Sequence, residues 1–133
     1  MESLTIDTNV LVRILVRDDE VQYNEARRLL ETYQIIVTAT VLLETAWVLE
    51  HMYHLDPPDI INAIEGFQSL PNVEFDDNGI FSKASSWVKN GMETADAFHV
   101  AAARTKFATF DRKLAAQAEK NGLTNVLSLS RIA

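Results

Sequence analysis

The chain has 133 residues, 47% of them hydrophobic, which suffices for one well-packed core and is too short for two ordinary domains; a single domain over residues 1–133 is expected. Its formal charge of −7 argues against adhesion to nucleic acid over the whole surface. No apolar run approaches the roughly 20 residues of a membrane span, Glu2 stands where a leader would be basic, and the absence of cysteine excludes disulfides and thiolate metal sites, so a cytoplasmic setting is expected.

Short apolar runs alternate with longer helical patterns along the chain. Leu4 to Ile6 reads as the first strand, followed by a short helix from about Asn9. A second helix is expected from Asp19 to Tyr33, with Val21, Ala26, Leu29, Leu30 and Tyr33 facing inward. Ile35 to Val37 is the next strand. From Thr40 to Tyr53 apolar residues wrap most of a helix, including Val41, Leu42, Leu43, Ala46, Trp47, Val48, Leu49 and Met52. Such a helix is central to the core or covered on its second side by a partner, and a homodimer interface including Trp47 is expected.

Asp56-Pro57-Pro58-Asp59 has the form of a helix start with proline in the first turn, leading through Ile60, Ile61, Ile64 and Phe67 to a stop before Pro71. Val73 to Phe75 is a strand. Ile80, Phe81, Ala84, Trp87 and Val88 repeat at helical spacing and end at Asn90-Gly91, and an alanine-rich helix starts near Glu93 or Thr94. Phe107 to Phe110 and Val126 to Leu129 read as the last strands, with a helix from Arg112 to Asn121 between them. Alternation of this kind implies βαβ units and a parallel sheet. Residues 104–133 hold Arg104, Lys106, Arg112, Lys113, Lys120 and Arg131 against Asp111 and Glu119, a net of +4 that leaves −11 for the remainder. A phosphate backbone could therefore approach one side only.

Four carboxylates stand out. Asp7 follows the first strand, Glu44 lies inside the apolar helix, Asp96 sits in the first turn of the alanine-rich helix, and Asp111 closes the fourth strand. Asp7 and Asp111 have a sufficient local reason as helix caps, and Asp96 as an anion at a helix N-terminus. Glu44 is different: three and four residues away are Thr40, Val41, Trp47 and Val48, none able to pair with its charge. A carboxylate there needs water at a cleft, a hydrogen-bond network or a cation. In a parallel sheet, ligands bind at the carboxyl ends of strands, the ends that Asp7 and Asp111 occupy and that helix N-termini face. Carboxylates gathered there raise one another's pKa unless a divalent ion neutralises them, and hard ions such as Mg²⁺ or Mn²⁺ suit oxygen ligands. The pattern points to metal-assisted phosphate chemistry.

These residues resemble the PIN-domain nucleases, most closely the VapC-type ribonuclease toxins of bacterial toxin–antitoxin pairs. The likeness runs through Asp7-Thr8-Asn9-Val10-Leu11-Val12, through Leu43-Glu44 in the Thr40 to Trp47 segment, through Asp96-Ala97-Phe98-His99, and through Ala108-Thr109-Phe110-Asp111. It implies a three-layer α/β/α fold with a mostly parallel, doubly wound sheet, Mg²⁺- or Mn²⁺-dependent cleavage of RNA, dimerisation, and inhibition by a cognate antitoxin. By the same resemblance Asp7, Glu44, Asp96 and Asp111 are the catalytic, metal-binding acids, and Thr8, Asn9 and Thr109 support them by hydrogen bonds. Glu93 stands where many relatives have an aspartate, although a helix start accounts for it equally well. His99 matches a frequent position and is read as a packed or hydrogen-bonding residue. Arg13, Arg17, Arg112 and Lys113 are candidate RNA-backbone contacts, with exposed helix charge as the plainer reading.

Rival readings differ in what they need. An aspartyl phosphatase wants an acid two residues after Asp7, where this chain has Asn9. A non-enzymatic phosphoacceptor receiver domain could use Asp76 or Asp77 but lacks the expected lysine and leaves Glu44 without a purpose. A nuclease working in RNA processing or on DNA remains the nearest alternative, because the acids do not choose the sugar.

Overall fold

The computed structural model describes residues 1–129; Arg131, the last of the basic residues in the C-terminal segment, lies outside them. The chain is α/β, with helices flanking parallel sheets, and it divides into two compact units, Met1–Gly79 and one beginning at Ile80.

In the first unit β1 (Ser3–Thr5), β2 (Gln34–Thr38) and β3 (Val73–Asp76) form a parallel sheet in the order β1-β2-β3. Leu4 pairs with Ile35, and Ile35 with Val73. Parallel neighbours require long crossovers. These are α1 (Thr8–Leu15) with α2 (Glu20–Thr32), and α3 (Ala39–His51) with α4 (Pro57–Gln68). The central strand buries Ile35 and Val37 completely, and Leu11, Leu42, Leu49, Ile60, Ile61 and Ile64 close over them.

One expectation needs correction here. Val21 is 68% exposed. It lies about 140° around α2 from the buried Ala26, off the inward stripe, in the first turn that Asp19 caps. On α3 the all-round apolar pattern resolves into one buried stripe of Leu42, Thr45, Ala46 and Leu49 at helical spacing, which leaves Trp47 and the following Met52 in solvent at 49% and 65% exposure.

The second unit contains α5 (Ile80–Lys89), α6 (Thr94–Ala102), β4 (Phe107–Thr109), α7 (Arg112–Lys120) and β5 (Val126–Ser128). Strands β4 and β5 pair in parallel, Ala108 opposite Leu127. Helices α5 and α6 pack through Phe81, Ala84 and Val88 against Ala97, Phe98 and Ala101, with the Phe81 and Phe98 rings tilted at 6.4 Å. The turn between them fixes where α6 begins. Gly91 takes φ +98 and donates to the Val88 carbonyl while Met92 donates to that of Trp87, the bonding pattern of a Schellman C-cap. A side chain at Gly91 would be strained. Met92 is buried, so the chain leaves the turn with Glu93 set at the entry to the next helix.

Candidate metal centre

In the first unit Asp7 follows the buried Ile6 and caps α1: its backbone is extended, and its Oδ1 accepts from the Val10 N–H at 3.2 Å. Thr8, the next residue, is buried at the start of α1, and Asn9 is exposed. One Asp7 oxygen is thus spent on the helix while the side chain remains open to solvent. Glu44 is exposed on α3, on the side that also exposes Thr40 and Trp47. The difficulty the sequence posed for Glu44 is resolved by this orientation: the apolar residues beside it are themselves at the surface, and its charge is solvated.

The basic residues of α1 are already engaged. Arg13 donates from Nε to the Gln22 Oε1 and from Nη1 to the Tyr53 hydroxyl at 3.0 Å and to Asp18 at 3.5 Å; the Tyr53 hydroxyl donates in turn to Asp18 at 2.8 Å. The Tyr53 bond, followed by the charge of Asp18, raises the Arg13 pKa. Arg17 pairs with Glu20 at 2.9 Å and lies 4.4 Å over the Tyr23 ring. A cavity of about 400 Å³ opens beside Asp7, walled by Asn9, Val10 and Arg13 of α1 and by Gln22, Glu25, Ala26 and Leu29 of α2.

In the second unit Glu93 caps α6, its two oxygens accepting from the N–H groups of Ala95 at 3.0 Å and Asp96 at 3.3 Å. Asp96 lies in the first turn, partly buried, and its pKa is pushed up to about 6. Burial is the largest cause, followed by the charge and carboxyl hydrogen bonding of Glu93 and then the charge of Asp111, while His99 pulls the other way. His99 itself is exposed rather than packed. Asp111 caps α7, accepting from Lys113 N–H at 2.9 Å and Leu114 N–H at 3.1 Å. Thr109 holds this turn through its Oγ1, which accepts the Asp111 N–H at 2.9 Å. Arg112 and Lys113 follow on the exposed surface.

Asp96, Glu93 and Asp111 therefore share a field in which one carboxyl resists ionisation. Their oxygens are the hard donors that Mg²⁺ and Mn²⁺ prefer. Among the described residues, however, no three histidine or acidic side chains are drawn together as a ready-made cage.

The model of the PIN domain matches residues 4–120, a span that begins in β1 and ends with α7. The chain belongs to the PIN-domain family. That membership places it in the nuclease class of hydrolases, and divalent metals are common in PIN domains. It also removes the receiver-domain and aspartyl-phosphatase readings. No curated protein matches the chain. In this PIN domain the polar wall formed by Gln22 and Glu25 escaped the sequence reading. The available signal was their spacing of three on the α2 face that also carries Ala26 and Leu29.

Proposed function

We propose that this PIN domain is a divalent-metal-dependent endoribonuclease, the toxin of a toxin–antitoxin pair, acting in the cytoplasm as a homodimer of single-domain subunits. The observation that carries the metal-dependent reading is the placing of acids at helix starts, Glu93 and Asp96 at the start of α6 and Asp111 as the cap of α7, carboxylates whose charge a cation of charge +2 would offset. The fit of donor chemistry to Mg²⁺ or Mn²⁺ supports it, as does the continuous family match across both compact units.

By the resemblance, Asp7, Glu44, Asp96 and Asp111 would hold the metal. Divalent metal held there would supply Lewis acidity, which lowers the pKa of water and offsets charge at the phosphate. The protein's own residues do the positioning. Helix caps fix Asp7 and Asp111, each of which keeps oxygen lone pairs beyond those used by the backbone. Thr109 locks the turn that carries Asp111, and Thr8 and Asn9 flank Asp7. Glu93 orients the first turn of α6, its oxygens accepting the N–H groups of Ala95 and Asp96. Arg112 and Lys113, exposed beside Asp111, are the cations best placed to meet the RNA backbone, since Arg13 and Arg17 have partners of their own. The exposed Trp47 and Met52 support the dimer.

The test is cleavage of RNA with and without Mg²⁺ by the parent and by Asp7→Asn, followed by expression with and without the neighbouring gene. Mg²⁺-dependent cleavage lost in the variant, and growth arrest relieved by the neighbour, are expected. Equal cleavage by both proteins would refute the nuclease mechanism, and arrest without relief would favour an RNA-processing enzyme.

A further inference from the structure

The cavity beside Asp7 has a chemistry of its own. At about 400 Å³ it falls within the size range of sites for small ligands. Val10, Ala26 and Leu29 give it apolar wall, and Asn9, Gln22 and Glu25 give it hydrogen-bonding edge. Flat rings with polar rims, nucleobases among them, need both kinds of surface.

The donor and acceptor inventory narrows the ligand further. Arg13 has five N–H groups. Its Nε and Nη1 serve Gln22, Asp18 and Tyr53, and these acceptors hold the guanidinium in place while leaving the Nη2 pair uncommitted among the described residues. Gln22 accepts from Arg13 through Oε1, and its amide nitrogen has no partner among the described residues and can donate. Glu25 only accepts when ionised. The charged groups of the wall are Asp7 and Glu25 against Arg13, and the Arg13 charge already faces Asp18. That negative balance disfavours a phosphate and permits a neutral base.

Resting on the ribonuclease reading, we propose that this cavity receives one unstacked base of the substrate RNA and prefers guanine. Guanine alone sets two adjacent donors, N1–H and N2–H, which a carboxylate such as Glu25 accepts together, beside the acceptors O6 and N7, which suit Arg13 and Gln22. Because Asp7 lines the same cavity, the base selected lies at a fixed distance from the cut.

The experiment uses the whole protein, an RNA library randomised around a single-stranded segment, and sequencing of the cleaved ends, with the parent, Gln22→Ala and Glu25→Gln. The parent is expected to enrich guanine by about tenfold at one position relative to the cut, and each variant to flatten that enrichment by about fivefold or more. In parallel, guanosine monophosphate and cytidine monophosphate are titrated while the side-chain amide signals of Asn9 and Gln22 are followed by NMR. Shifts induced by the guanine nucleotide and weakened in Glu25→Gln support the site. Cleavage without base preference, or a preference that survives both substitutions, would overturn the proposal. A parent that binds the guanine nucleotide in this cavity yet cuts no RNA would overturn the nuclease reading while supporting the cavity.

Discussion

Glu93 and Asp96 share the first turn of α6: the Glu93 carboxylate accepts the Asp96 N–H at 3.3 Å and, by its charge and carboxyl hydrogen bonding, helps hold the Asp96 side chain in its neutral form. One acid starts the helix and the other bears the electrostatic cost. Burial of Asp96, with the Glu93 charge beside it, contributes to the pH dependence of the metal-free protein. The Asp96 pKa rises from 3.8 to about 6 on folding, so the neutral carboxyl is the form the fold favours. Stability from this group is present in full below about pH 4 and is lost as pH rises through about 6. Asp96→Asn should therefore stabilise the metal-free protein at pH 8, by about 1 kcal/mol after allowing for solvent screening of a partly exposed group, and should change little at pH 4. Urea unfolding at the two pH values measures the difference.

Asp111 has two separable duties, capping α7 and carrying charge. Asparagine caps nearly as well as aspartate, and alanine does not. Asp111→Asn should keep parental stability, and Asp111→Ala should lose about 1 kcal/mol, while both lose metal-dependent cleavage. Thermal melts beside cleavage assays separate the two roles.

The Tyr53 hydroxyl joins the segment after α3 to Arg13 and Asp18. Tyr53→Phe keeps the ring and removes the hydroxyl, leaving Arg13 Nη1 with Asp18 alone. Its urea midpoint should fall with an unchanged m value, the mark of a lost interaction without a change of compactness.

Trp47 is stacked on His51, the ring centroids 4.6 Å apart, and stays half exposed beside Met52. If this face joins two subunits, Trp47→Asp should weaken self-association by about tenfold or more, as substitutions at aromatic anchors do. Sedimentation velocity at micromolar concentration should show the parent as a dimer and the variant as a monomer. A monomeric parent would remove the dimer.

Much of the fold was legible because its signals are local. Each expected strand lies within about a residue of the observed one, since short apolar runs bounded by polar residues leave few alternatives. Helix ends were readable through Asp7, Asp19, Glu93 and Asp111, whose oxygens cap the helices that follow them. Orientation was less legible. Val21 and Glu44 sit among apolar neighbours in sequence, but the stripe facing the sheet is set by tertiary packing, and both fall outside it. The hydrogen bonds that occupy Arg13 were equally hidden, because Tyr53 is 40 positions away along the chain. Gln22 and Glu25 look like ordinary helix-surface residues until α1 and α2 are placed side by side.

The account depends most on Asp7, Glu44, Asp96 and Asp111 each acting as a ligand of divalent metal. Calorimetric titration of Mn²⁺ into the parent and into Asp7→Asn, Glu44→Gln, Asp96→Asn and Asp111→Asn, each first confirmed as folded by its thermal melt, examines this without reference to any RNA. The parent should bind, and each variant should bind at least about tenfold more weakly, since removing one charged oxygen ligand costs more than about 1.4 kcal/mol. Undiminished Mn²⁺ binding in all four variants, or none by the parent, would contradict it.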